Sequence, residues 1–265
     1  MEDGHISSLD EIVPASSSTG LEYYSLAVRD RETTVGEGIR NSSVLVNSYL
    51  AQNCYGSNPK ALFDRLHTFK LLDTINYGLD GCFATPGITM EADSMLNMIA
   101  NGYNIKLSIF NILAFYNAIA NDGRMITTRI AGSLERGGKT IKLLQSREYS
   151  QIMSQETSQL VKDALRSAIT EGTGQLNLSD SRYEVAGKTA SLALAHPDQY
   201  GRRPSLASFA GFFPYDNPRY SVFAIVSSKP SGSALSGGAE PALLTKSIVS
   251  SIYKELSDAA TPMLD

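Results

Sequence analysis

Residues 205–228 read SLASFAGFFPYDNPRYSVFAIVSS. Two β-rich runs, SLASFAGFF and RYSVFAIVSS, flank PYDNP at 214–218. The prolines fix φ, and Asp216 and Asn217 tolerate turn geometry, so this stretch predicts a β-hairpin over 206–228. Just before it, YEVAGKTASLALA at 183–195 is a third β-rich run. After it, Glu240-Pro241 starts a helix expected over 240–256.

The earlier part of the chain carries a different periodicity. Val35, Ile39, Val46 and Leu50 predict a helical pattern from Thr34 to Cys54. Asn58-Pro59 opens a helix whose apolar face holds Leu62, Phe63, Leu66 and Phe69. His67 on that helix is read as a surface or core-edge histidine. Residues 73–90 read as loop, and PASSSTG at 14–20 is another. Ser108 caps IFNILAFYNAIAN, a helix apolar on most sides and therefore expected to be buried. Two short strands are expected around the Gly137-Gly138 turn, then an amphipathic helix over 154–171 with Leu160, Val161, Leu165 and Ile169. Helices first, antiparallel strands next and a closing helix give an α+β fold with helices packed on an antiparallel sheet.

With 265 residues and 42% hydrophobic content, the chain can bury a substantial core. Its net charge of −4, with no excess of Lys or Arg, gives no nucleic-acid surface. Two cysteines, Cys54 and Cys82, make no disulfide framework, and three scattered histidines make no metal cluster, so no metal or cofactor is expected. No signal peptide is read in MEDGHISSLDEIV, and no run approaches a membrane span, so the chain as given would be cytoplasmic.

VAGKTAS at 185–191 places a lysine and a threonine on a strand. An ammonium, a hydroxyl and backbone donors at a strand edge can hold a carboxylate or carbonyl. A bare Lys-Thr pair occurs often by chance, so the wider context has to decide.

That context is an ordered set of phrases: NSSVLV (41–46), the stretch GYNIKLSIFNILAFYNAIANDGRM (102–125), EGTGQL (171–176), VAGKT (185–189) and ASFAGFFPYDNPRYSVFAIV (207–226). Together they resemble the transpeptidase domain of class B penicillin-binding proteins, most like the septal division transpeptidases of Bacteroidetes-type bacteria. The resemblance runs from about residue 34 to 256 and is most specific at 102–125 and 205–228. It implies the penicillin-binding transpeptidase fold: an antiparallel sheet of about five strands, helices on both faces, and a helical lobe. On this chain the lobe falls at roughly 34–171, the β-rich part at 183–230 and the terminal helix at 240–256, all within one domain spanning 1–265.

The family is a serine acyltransferase with three motifs: Ser-x-x-Lys, Ser-x-Asn and Lys-Thr/Ser-Gly. A lysine activates the serine, a second serine relays protons, and the Lys-Thr strand binds substrate. The third motif falls on Lys188, Thr189 and Ala190, with alanine in place of glycine, and Ser191 follows. The second falls within TTVGEGIRNSSVLV, where Thr34, Val35 and Glu37 fix the register. Ser42 then matches the motif serine and Val44 stands at the asparagine position, where it can make no amide hydrogen bond. Asn41 and Asn47 are near, but either needs a local register change to substitute.

The first motif is not found in its place. SNPK at 57–60 has the spacing but follows the second motif, and Ser228-Lys229 has the wrong spacing. The resemblance thus implies remnant catalytic positions at Ser42, Lys188 and Thr189, and substrate-contact positions at Val44, Ala190 and Ser191. Three functions stay open. The chain as written is a catalytically inactive transpeptidase-like domain that still binds a peptidoglycan stem peptide or a β-lactam. Or it is a fragment of an active septal transpeptidase with its nucleophile encoded upstream. Or it is a non-catalytic scaffold of cell-wall synthesis. A second copy of the chain or cell-division proteins are the expected protein partners. As part of a longer anchored protein it would stand on the periplasmic side of the inner membrane.

Overall fold

The computed structural model describes residues 1–14, 32–76, 83–88, 95–126, 128–144, 148–179, 183–193, 205–227 and 238–260. The loop expected at PASSSTG lies outside these residues, apart from Pro14. The chain forms two compact units, Met1–Val161 and Lys162–Asp265.

The first unit begins with a ribbon of β1 (Ile12–Val13) and β2 (Thr33–Thr34), followed by α1 (Val35–Arg40) and α2 (Val44–Tyr55). Thr34 caps α1 reciprocally: its Oγ1 accepts from Glu37 N at 3.1 Å, and Glu37 Oε2 accepts from Thr34 N at 3.1 Å. The single helix expected from Thr34 to Cys54 is broken at 41–43. Ser42 takes a left-handed backbone, φ 57°, and Ser43 starts α2 by accepting from Val46 N at 3.3 Å. The apolar spacing passes through this break because Val35 and Val46 share one core cluster with Ile6 and Val13.

Pro59 opens α3 (Pro59–Thr68), and Asn58 precedes it without a side-chain capping bond. Leu62, Phe63, Leu66 and Phe69 are half-buried and His67 is exposed, as the sequence pattern implies. The segment read as loop contains β3 (Ile75–Asn76), β4 (Phe83–Ala84) and β5 (Gly87–Ile88). After it come α4 (Met95–Ala100), β6 (Ile105–Lys106) and α5 (Ile109–Ala120). Ser108 caps α5, accepting from Asn111 N at 3.1 Å. This helix is buried on one face rather than all round: Asn111, Ala114, Ala118 and Ile119 are buried, while Ile109 and Asn117 are exposed. The buried Asn111 amide is accommodated by donating to Leu71 O and Asp73 O. Next come β7 (Arg124–Ile126), the β8 (Ser133–Arg136) and β9 (Lys139–Leu143) hairpin turning at Gly137-Gly138, and β10 (Glu148–Gln151), which pairs with β7. The boundary between units falls within α6 (Gln155–Thr170). Of its expected apolar residues, Leu165 and Ile169 are buried, and Leu160 and Val161 are half-buried.

The second unit holds α7 (Gln175–Leu178), β11 (Ala186–Ala193), β12 (Ser205–Phe213), β13 (Tyr220–Ser227) and α8 (Ala239–Ala260). The three strands form an antiparallel sheet in the order β11-β12-β13. The hairpin read from 205–228 closes in register, from Leu206 opposite Ser227 to Phe213 opposite Tyr220. Phe209 and Phe213 enter a core with Ile169, Leu178, Val185, Val222, Ala242 and Val249. Each such phenylalanine contributes roughly 1.5–3 kcal/mol relative to an exposed one. The sheet has three strands among the described residues rather than about five; the remaining strands are short ribbons in the first unit. Because β11 pairs with β12 alone, it is a sheet edge among those residues, and alternate backbone groups face away from β12.

Candidate functional site

The third motif occupies this edge strand. Lys188 lies opposite Ala210, and Thr189 lies opposite Phe209. Neighbouring strand residues point to opposite faces, yet Lys188 and Thr189 meet at one oxygen. Lys188 Nζ donates to Thr173 Oγ1 at 3.1 Å, and Thr189 Oγ1 donates to the same atom at 3.0 Å. The lysine stem is long enough to curl over the strand, and Nζ also donates to Thr189 O at 3.3 Å. Burial pushes the Lys188 ammonium down from 10.5 to about 8. The result is a partly desolvated cation beside two hydroxyls.

Thr173 is carried by EGTGQL, between the end of α6 and α7. Gly174 N donates to Ala168 O at 2.9 Å, folding the segment back on the helix. A β-carbon at Gly174 would stand 2.6 Å from Ile169 Cδ1, the tip of a side chain that would have to turn aside, and 3.3 Å from Ala168 O. On the other side, Gly238 packs on Thr189, which is only 6% exposed. Ala190 and Ser191, by contrast, are exposed, as is Thr173. The site is thus closed behind Thr189 and open along the strand. The alanine at the motif's third position adds its methyl group on this open side.

The stretch matched to the second motif lies in the first unit. Ser42 is exposed at the left-handed joint between α1 and α2. Val44 is the first residue of α2, half-buried, and offers only methyl groups. Asn41 caps the end of α1 through its backbone N–H, and the Asn47 side-chain amide is already engaged, Nδ2 donating to Asn101 Oδ1 at 3.3 Å.

Two Ser-x-x-Lys spacings fall on described residues. Ser57 precedes α3, and Lys60 is tied to Asp64 at 2.6 Å on the exposed face. The other, Ser251-Ile252-Tyr253-Lys254, was not singled out from sequence. It lies within α8, where Ser251 Oγ donates to Ser247 O at 3.0 Å. In the first the lysine is engaged by Asp64, and in the second the serine hydroxyl is engaged by its own helix backbone. Sequence reasoning also gave no role to Thr173; its only signal was its place in EGTGQL, 15 residues before Lys188. Among the described residues no three metal-ligating side chains gather, and no helix is long and apolar enough to cross a membrane.

Known proteins resemble this chain in sequence and in fold. The chain is 30% identical over 159 residues to the stage V sporulation protein D of Bacillus subtilis, covering 59% of this chain and 24% of that protein. It is 27% identical over 187 residues to penicillin-binding protein PbpB of Mycolicibacterium smegmatis, covering 66% and 28%. The chain thus spans about a quarter of the length of these curated relatives. Among solved structures, penicillin-binding protein 3 of Mycobacterium tuberculosis in complex with aztreonam superposes with a TM-score of 0.74 at 22% identity, covering 97% of this chain and 59% of that one. The transpeptidase domain of Burkholderia pseudomallei penicillin-binding protein 3 gives 0.68 at 22%, covering 88% and 67%. The family model of the penicillin binding protein transpeptidase domain matches residues 8–250, nearly the whole chain, and the chain belongs to that family.

Proposed function

We propose that this chain binds the carboxylate end of a D-alanyl-D-alanine stem peptide, or a β-lactam in its place, along the edge of β11 that has no partner strand among the described residues. The observation that carries this reading is the meeting of Lys188, Thr189 and Thr173 at one hydroxyl oxygen. A partly desolvated ammonium and two hydroxyls supply a charge-assisted anion site, and that strand edge can take an extended ligand. As written, the chain acts without a covalent step. On β11, Ala190 in place of the motif glycine weakens orientation of a bound carbonyl. A ligand of this kind places the domain on the periplasmic side of the inner membrane within an anchored protein.

A fluorescent penicillin tests this reading. It should raise fluorescence anisotropy on mixing and leave no band on a denaturing gel. A robust, competable band would reveal an activated nucleophile and overturn the noncovalent assignment.

The short span relative to the curated relatives favours one further reading, in which these residues form part of a longer D,D-transpeptidase that supplies Ser-x-x-Lys elsewhere. The longer gene product would then form the covalent band, and its absence there would remove this alternative.

A further inference from the structure

Thr173 makes a connection that the Lys-Thr motif alone does not contain. A threonine hydroxyl has two acceptor lone pairs and one hydrogen. Lys188 Nζ fills one lone pair at 3.1 Å, and the Thr189 hydroxyl, 3.0 Å away, is placed to fill the other. An ammonium can only donate, so it fixes Thr173 as an acceptor towards it. With both lone pairs occupied, the Thr173 hydrogen turns to a third oxygen. Thr173 is exposed, so that oxygen can belong to a ligand arriving from solvent.

Its backbone is held independently of the strand. Glu171 N donates to Ser167 O at 2.9 Å, Gly174 N to Ala168 O at 2.9 Å and Gln175 N to Gly172 O at 3.1 Å. The turn is therefore fastened to α6 on one side and leads into α7 on the other. This gives the hydroxyl a fixed position next to a lysine whose own stem has many rotamers.

We propose that Thr173 is a specificity-determining residue of this site: it gathers the Lys188 ammonium and the Thr189 hydroxyl onto one oxygen and donates its own hydrogen to the bound carboxylate. The inference rests on the proposed function, since it names a further contact to the same ligand. It predicts that selection of a carboxylate over a neutral amide runs through residue 173 as well as through the motif.

The test compares a D-alanyl-D-alanine-terminated pentapeptide with its C-terminal amide by calorimetry, across pH 6–10, on the whole chain. Thr173→Val should weaken carboxylate binding by about tenfold or more, the size of a lost hydrogen bond to a charged group. Losing the acceptor oxygen also destabilises the ammonium, so the pH at which affinity falls should move down. Thr173→Ser should restore affinity to within about threefold and return the pH midpoint, because it keeps the oxygen. A purely structural role would not move the midpoint. If wild type prefers the carboxylate and both Thr173→Val and Thr173→Ala keep its affinity and midpoint, the inference is overturned while the proposed function stands. If wild type shows no preference, the proposed function itself fails. Should the valine variant lose its fold by circular dichroism, Thr173→Ala and Thr173→Ser decide the matter.

Discussion

A β-carbon placed on Gly238 would stand 2.6 Å from Thr189 Cβ, so the backbone entering α8 forms the wall behind the motif threonine. Gly238 also has φ +86°, where a side chain is strained. Gly238→Ala should therefore destabilise the fold by roughly 1–3 kcal/mol and push Thr189 off the Thr173 oxygen. A urea midpoint reports the first effect and loss of carboxylate binding the second. Unchanged stability and binding would show that this wall yields freely.

Lys188 gives a pH signature with a definite sign. Its pKa is about 8 in the fold against 10.5 when exposed, so between these values the unfolded chain binds more protons. Stability should then rise with pH through this window as the burden of a buried charge is relieved. Ligand affinity should run the other way: level below pH 8, falling above it as the ammonium deprotonates. Lys188→Met should flatten both profiles. Urea titrations at pH 7, 9 and 10.5 and calorimetry over the same range check this; parallel profiles in wild type and variant would contradict it.

Ala190→Gly separates strand stability from ligand access. Ala190 is exposed and lies opposite Ser208. Glycine in a strand should cost roughly 0.5–1 kcal/mol, while removal of the methyl group on the open side should tighten β-lactam binding. Thermal melts and anisotropy read the two effects separately. Equal or weaker binding by the glycine variant would acquit the methyl group.

Phe209 tests the sheet core. Its ring is fully buried on the strand that pairs with the motif strand, opposite Thr189. Phe209→Ala should cost about 3–5 kcal/mol through lost burial and a cavity. A denaturant midpoint shift equivalent to less than about 1 kcal/mol would mean the core collapses around the vacancy.

The β-rich third was legible because its signals are local. Strand periodicity and PYDNP specify the hairpin without outside help, and β12 and β13 close where they imply. The Ser108 cap was legible for the same reason. The break at Ser42 was not, because Val35 and Val46 serve the same core cluster and keep the apolar spacing intact across it. VAGKTAS offers Lys188, Thr189 and Ala190 as candidates, but it carries no sign of the desolvation of Lys188 or of the bridging by Thr173. Both come from packing between the α6–α7 turn and an edge strand. Ser251-Ile252-Tyr253-Lys254 makes the converse point: it has the nucleophile spacing, yet its serine bonds back to its own helix. Spacing names candidates, and surroundings decide between them.

The most direct measurement is calorimetric titration of the chain at pH 7 with a D-alanyl-D-alanine-terminated pentapeptide and with its C-terminal amide. Recognition through Lys188, Thr189 and Thr173 predicts that the carboxylate form binds at least about tenfold more tightly, as befits a charge-assisted contact. Equal affinity for the two peptides, or no binding of either, would contradict it.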